Sequence, residues 1–365
     1  MFRGRNIRMQ GIDLGFAEEC ESEWLTNAHF PSKLGGKPAW LHLGDLPTTE
    51  ALKCSKCNNQ KSFLCQIYAP FDDDYNFHRM VYVFVCRTES CFSANDNSNI
   101  TVLRSQLPLR NEFYPDVPPP EEGEAVPEVL PLNTKLCMAC GCVGPLKCGR
   151  CKKVNYCGAP HQRLHWKIHK LTCTTEESVP AKAHNQHIPE ILFPEWEIDM
   201  NTDEDDNIRN DSKSDIDEEQ ELKKLEQLTA SGKAGEFQNL PESELEKYTK
   251  GSEEIDDKYF RKFRKECDKD PMQIIRYKRN GQALWIADTE TTIKEQLHNI
   301  PKCGLCGAER VFEFQIMPQM LNYLKDANVD WGVIAVYTCP KSCPLPIDKG
   351  YVEEFCLKQD IVNSQ

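Results

Sequence analysis

Nineteen cysteines and nine histidines lie in this chain of 365 residues, and most of the cysteines fall in closely spaced pairs. The densest stretch reads Cys137-x2-Cys140, Cys148-x2-Cys151, Cys157-x3-His161 and His169-x3-Cys173, eight potential ligands in four pairs. A CxxC turn is a knuckle that aims two thiolates at one point. An x3 spacing sets two ligands one helical turn apart on one face. Eight such donors suffice for two tetrahedral zinc ions. Zinc is favoured over redox metals because thiolate and imidazole in a closed four-ligand shell suit it. With ligands so dense, the metal organises the fold, and the apo segment is expected to be largely unfolded. His165 lies on the same stripe as His169 and is an alternative ligand, while Cys142 reads as a spare thiol.

Two further quartets flank this block. Cys54, Cys57, Cys86 and Cys91 form C-x2-C…C-x4-C, and Cys303, Cys306, Cys339 and Cys343 form C-x2-C…C-x3-C. Each is expected to hold one zinc and to cross-link a strand pair as a zinc ribbon does. The competing reading is that these cysteines pack as small hydrophobes. Cys20, Cys267 and Cys356 have no partner at ligand spacing. A catalytic zinc keeps an open position, usually beside three protein ligands, whereas these quartets are complete. No P-loop, GxGxxG, HExxH or Ser-His-Asp order occurs. The chain is therefore read as a non-enzyme.

The surroundings of the quartets repeat. After Cys54 and Cys57 come Phe63, Gln66, Ile67 and Pro70; after Cys303 and Cys306 come Phe312, Gln315, Ile316 and Pro318. An apolar run, "VYVFVCRTESC" or "WGVIAVYTCPKSC", delivers each second cysteine pair, and a Gly-x-x-x-Trp element precedes each copy, Gly36 to Trp40 and Gly281 to Trp285. Order and spacing together indicate a duplicated β-rich unit. The register sets Cys65 opposite Phe314, a core strand position, and so removes Cys65 from the ligands.

Between the copies, residues 113–131 are rich in Pro and Glu and read as an extended linker. The Cys/His block occupies 132–176. Residues 177–198 contain "HIPEILFPEWEI", where Pro189 and Pro194 suggest an edge strand. Residues 199–221 hold eleven acids and two bases, and 199–239 is expected to be a disordered acidic linker. The second half, 240–365, mirrors the first, 1–112. In it, Tyr259, Phe260 and Phe263 share a helical face, and Asp270-Pro271-Met272-Gln273 reads as the start of a short helix through Ile274, Ile275 and Tyr277. The N-terminus has arginines but no apolar signal core, which points to a reducing compartment and to metal rather than disulfides. No apolar run approaches the length of a membrane helix. The net charge of −13 favours basic partners over whole-surface nucleic-acid binding.

The central block resembles a MYND zinc finger through its two CxxC pairs, Tyr156–Cys157, His161–Gln162, Trp166, His169 and Cys173. That family usually has cysteine where this chain has His161. The resemblance implies interleaved sites: Cys137, Cys140, Cys157 and His161 on one zinc, Cys148, Cys151, His169 and Cys173 on the other. It also implies binding of proteins, typically proline-containing peptides. Lys147 to Lys170 carries seven Lys/Arg and no acid, so a nucleic-acid or acidic-peptide surface is an alternative. The whole chain resembles the programmed cell death protein 2 family through "FPSKLGGKPAWL" (30–41), "SFLCQIYAP" (62–70), "LFPEWEI" (192–198), "CGAERVFEFQIMPQMLNYL" (306–324) and "DWGVIAVYTC" (330–339). The family implies a chaperone of a small-subunit ribosomal protein, ribosomal protein S2, in ribosome biogenesis, found in cytoplasm and nucleus. A nuclear adaptor that recruits co-repressors through MYND is the competing function. The expected fold is α+β and β-rich: duplicated zinc-ribbon-like units forming one pseudo-symmetric body, with an inserted MYND finger and a disordered acidic linker.

Overall fold

The computed structural model describes residues 11–120, 124, 129, 135–173, 187–202 and 258–361. Most of the acidic stretch and part of each linker lie outside the described residues. Ten strands close into a barrel, with every neighbouring pair antiparallel. In chain order the first five are β1 (Asp13–Glu18), β2 (Lys33–Leu34), β3 (Ser62–Tyr68), β4 (His78–Val85) and β5 (Ile100–Leu107). Then come the finger, with β6 (Leu146–Lys147), β7 (Asn155–Tyr156) and helix α1 (Ala159–His169). The barrel resumes with β8 (Trp196–Thr202), helix α2 (Lys258–Lys269), β9 (Ile275–Tyr277) and short helices α3 (Thr289–Thr292) and α4 (Lys294–His298). It ends with β10 (Val311–Ile316), helix α5 (Leu321–Leu324), β11 (Val333–Thr338) and β12 (Val352–Gln359).

The barrel order is β1-β8-β2-β3-β4-β5-β12-β11-β10-β9. It consists of two five-strand arcs, β8-β2-β3-β4-β5 and β1-β9-β10-β11-β12, which meet at β5·β12 and β8·β1. Strand β1 of the first half crosses into the second arc, and β8, from the segment between the halves, completes the first arc. Strand β1 pairs with β9, Gly15 opposite Ile275, and β8 pairs with β2, Glu197 opposite Lys33. A side chain at Gly15 would meet Ile198, Ile275 and Met200 at 2.9 Å, so only glycine fits this crossing.

Strand β4 shows why the sequence closes this way. Its eight residues are all buried. Val81, Val83 and Val85 face the barrel interior with Cys65, Ile67, Phe314, Ile334 and Val336. Met80, Tyr82 and Phe84 face outward beneath Trp40, Leu41 and the finger. The two-residue period of a strand thus feeds two cores at once. Cys65 and Phe314 do occupy matching interior positions. The pairing of β3 with β4 is bulged between Phe63 and Cys65, and that of β10 with β11 between Phe312 and Phe314. Gln66 Oε1 accepts from the Ala39 amide at 2.9 Å, and Gln315 Oε1 from the Leu284 amide at 2.6 Å. Each glutamine therefore holds the residue just before Trp40 or Trp285.

Two local expectations are corrected. Residues 270–277 do not form a helix: α2 ends at Lys269, and Ile275–Tyr277 is a strand. Gln273 Nε2 instead donates to the Asp270 carbonyl at 2.7 Å and to Cys267 at 3.5 Å, closing the end of α2. Burial between β1 and β10 outweighs the cap-like signal. Nor does the 187–198 stretch supply an edge strand. Strand β8 begins only at Trp196 and is paired on both sides, by β1 and β2. Both prolines precede it, so no ladder donor is lost.

Candidate metal centres

Four CxxC turns share one local design. In each, the residue after the second cysteine has a left-handed backbone: Asn58 (φ 59°), Gly141 (φ 74°), Lys152 (φ 57°) and Gly307 (φ 69°). Its amide donates back to the first cysteine's carbonyl, at 2.9 Å in Asn58, 2.9 Å in Gly141, 3.0 Å in Lys152 and 2.8 Å in Gly307. This turn points both sulfurs to one side.

The turns meet their partners in four groups whose ligand atoms lie within 4.8 Å of one another. Cys54 and Cys57 precede β3, and Cys86 and Cys91 follow β4, so the first quartet ties the ends of a paired strand couple. Cys303 and Cys306 precede β10, while Cys339 and Cys343 follow β11, in the same relation. Because β10 and β11 run opposite to their counterparts across the barrel, the two quartets sit at opposite ends. In the finger, Cys137, Cys140, Cys157 and His161 form one group and Cys148, Cys151, His169 and Cys173 the other, in the interleaved order. Helix α1 carries His161 and His169, and the second group is wholly buried.

Donor chemistry and spacing fit zinc. A zinc–sulfur bond of about 2.3 Å gives a tetrahedral sulfur–sulfur edge of about 3.8 Å. The observed edges are 3.6 Å for Cys57–Cys86, 3.9 Å for Cys140–Cys157 and Cys148–Cys173, and 3.7 Å for Cys303–Cys343. His169 approaches Cys151 through Nε2 at 3.4 Å, and His161 approaches Cys157 through Nδ1 at 3.0 Å. All nineteen cysteines are free of disulfides. Burial pushes the Cys57 thiol up, but hydrogen bonds from Thr88, the Asn59 amide and Cys86 outweigh it and bring it down to about 6. Burial likewise opposes the Leu305 and Cys306 amides at Cys303, where the amides prevail and the thiol falls to about 7. Both are readily ionised as metal ligation requires. His165 does not join a group; its Nδ1 lies 2.9 Å from the Tyr156 hydroxyl. Cys65 is buried in the barrel, where desolvation drives its thiol far up. Cys142 is also buried and outside the groups.

The supports of these sites were less visible in sequence. Arg79 Nη2 donates to Glu313 Oε2 at 2.8 Å, and both side chains are fully buried. Arg79 Nε also donates to Ser342 Oγ at 2.8 Å, between Cys339 and Cys343. Arg279 donates to the carbonyls of Cys339 and Pro340 at 2.8 and 2.9 Å. Thus a first-half arginine holds a second-half cysteine loop. At the other end Arg87, beside Cys86, donates to Asp326 at 2.6 Å. The finger is fixed to the barrel by the Trp40 indole, which donates to the Gly141 carbonyl at 2.8 Å. The one arginine in the apolar run "HRMVYVFV" was the available signal.

A family model for the N-terminal domain of programmed cell death protein 2 matches residues 11–121, and one for its C-terminal putative domain matches 257–360. A MYND finger model matches 137–173. Programmed cell death protein 2 of Rattus norvegicus is 39% identical over 363 residues, 97% of each chain. The chain belongs to the programmed cell death protein 2 family. The Bos taurus protein of that name is 40% identical over 96% of this chain and 97% of its own. A family relative of Schizosaccharomyces pombe, "Probable 20S rRNA accumulation protein 4", is 25% identical over 94% of this chain and 96% of its own. No solved structure matches. The matched families, programmed cell death protein 2 and MYND, are not enzyme families, and the Cys/His groups suit zinc binding.

Proposed function

We propose that this chain is a non-catalytic zinc protein of ribosome biogenesis that captures a basic small-subunit ribosomal protein, ribosomal protein S2, and escorts it between cytoplasm and nucleus. The observation that carries this reading is the full-length relation to a protein named for 20S rRNA accumulation. The acidic balance of −13 supports a basic client: opposite charge speeds encounter and rejects wrong partners, while apolar contacts hold the complex. Four zinc ions would be held, two by the finger and one by each outer quartet. The outer halves are read as duplicated, zinc-stapled units of one body. Their support is the shared bulge position and the shared glutamine clasp. The boundaries 1–112, 113–131, 132–176, 177–198, 199–239 and 240–365 belong to the same proposal.

An adaptor working through the finger is less well supported, because Trp40, Leu41 and Leu43 share one core with Cys137, Ala139 and Tyr156. A finger built into the body is a poor independent tether. The experiment is purification of the full-length protein during translation, with identification of the nascent chains that accompany it. Ribosomes synthesising one small-subunit protein are expected. Enrichment of co-repressors or of RNA without a nascent chain overturns the reading.

A further inference from the structure

The two arcs present equivalent outer faces, and only one is covered by a zinc finger. On the first face, the Gly36-to-Trp40 segment seats the turn at Gly141. A side chain at Gly141 would strike Lys37 Cβ at 2.9 Å, Pro38 lies just beyond, and Trp40 donates to the Gly141 carbonyl. The turn is held by backbone and by its lack of a side chain. Its neighbours Cys137 and Cys140 are anionic thiolates when ligating, and Lys37 supplies the facing charge.

In the second arc the Gly281-to-Trp285 register sets Gln282 at the place of Lys37 and Ala283 at the place of Pro38. Gln315 clasps Leu284 as Gln66 clasps Ala39. No zinc knuckle sits there among the described residues. Instead Gln282, Ala283 and Phe312 line a cleft of about 170 Å³ with Lys262, Arg276 and Lys278. Trp285 lies beside this cleft rather than in it, partly buried in the clusters of Phe263, Leu297 and Phe355. The one carboxylate of the cleft, Glu266, is already bonded by Lys269 at 2.9 Å. Lys262 and Lys278 have no ion-pair partner among the described residues. Lys262 stands on the exposed side of α2, whose Phe263 and Cys267 are buried.

We propose that this cleft seats an acidic, glycine-bearing turn of a partner protein, as the Trp40 face seats the Gly141 turn of the finger. Glycine lets a turn approach Gln282 and Ala283 as closely as Gly141 approaches Lys37 and Pro38, and acids are needed for the unpaired lysines. The apolar face of α2 is spent inside the protein, which disfavours a membrane surface. The proposed site is separate from capture of a basic client, which this lysine-lined cleft would repel.

The test uses the full-length zinc-loaded protein and a fluorescein-labelled peptide of alternating Asp and Gly, with a Lys-Gly peptide as control. Anisotropy at low salt should show saturable binding of the acidic peptide alone. Lys262→Glu with Lys278→Glu should weaken it at least about tenfold, at an unchanged melting temperature. Ala283→Phe, which fills the cleft without changing its charge, should weaken it too. Arg163→Glu with Lys167→Glu, both exposed on α1 of the finger, should leave it unchanged. Binding that survives both cleft variants overturns the proposal. So does oligouridine binding through the same lysines where the peptide does not bind. Binding that appears only after deletion of residues 203–221 also overturns it, since the occupant would then be this chain's own acidic stretch.

Discussion

At the scale of single residues, the candidate metal ligands are separated from their look-alikes by geometry that can be tested. His165 and His169 stand one turn apart on α1 with rings stacked at 6.0 Å, yet only His169 reaches a cysteine group. Native mass spectrometry of the intact protein should count four zinc ions. His169→Ala should lose one, whereas His165→Ala and Cys65→Ala should keep all four; a loss of zinc in His165→Ala would reassign the ligand. His161→Cys should also keep four, since thiolate serves in place of imidazole. His78 gives a pH signature. It is buried, stacks on Phe30 at 4.3 Å and lies 3.0 Å from the Tyr68 hydroxyl. Burial lowers it from 6.5 to about 4. The unfolded chain therefore takes up this proton first as pH falls. Stability is full above 6.5 and declines between 6.5 and 4, by up to roughly 3 kcal/mol from this group. His78→Phe should flatten that limb of a urea-midpoint series against pH, and an unchanged slope would assign the decline elsewhere.

At the scale of elements, the clasp by Gln66 and Gln315 joins strand to segment in each arc. Gln66→Leu removes bonds to the Ala39 amide and the Pro31 carbonyl, both buried. Two buried backbone groups left unpaired should cost roughly 2–4 kcal/mol. Because Trp40 follows Ala39 and holds Gly141, hydrogen exchange should also quicken in the finger. Gln315→Leu should loosen the Trp285 segment and leave the finger protected; equal loosening of the finger by both variants would refute the separate clasps. These elements were legible where chemistry fixed the spacing. Cysteine pairs, the glutamine after the second cysteine and Gly-x-x-x-Trp all recur at constant offsets, and each marks a local turn or strand. Strand β2, with two residues, and β9, with three, are too short to show a period. Residues 270–277 carried a genuine capping pattern that was overridden by burial. Strand β8 looked like an edge because prolines precede it, and local pattern carries no record of which strands flank it.

At the scale of the molecule, closure of the barrel depends on pairings that no window of sequence contains. Strand β5 meets β12 with Arg104 opposite Val352, and β1 meets β9 with Leu14 opposite Arg276. Two buried ion pairs cross between the halves, Arg79 with Glu313 and Arg104 with Glu354 at 2.8 Å. For Glu313, the burial cost is outweighed by Arg79 and then Arg279, which hold its carboxyl at about 2. Removing one partner of such a pair leaves a charge without compensation, so Glu313→Gln should cost roughly 3–5 kcal/mol. Neither part of the chain can satisfy its strand edges alone, because β1 pairs with β9 and β5 with β12. The chain divided within 203–257 tests this directly, with 1–230 and 231–365 co-expressed as separate polypeptides. The two should purify as a one-to-one complex that unfolds in a single transition and retains all four metal groups. Each alone should be insoluble or molten, with an exposed row of unpaired donors and acceptors. A complex reduced to 1–112 and 240–365 should be weaker, since it lacks β8 and leaves both β1 and β2 with an open edge. Two stable monomers that ignore each other on size exclusion would show that the barrel is not one cooperative body, and the pairing of β1 with β9 would then have to be abandoned.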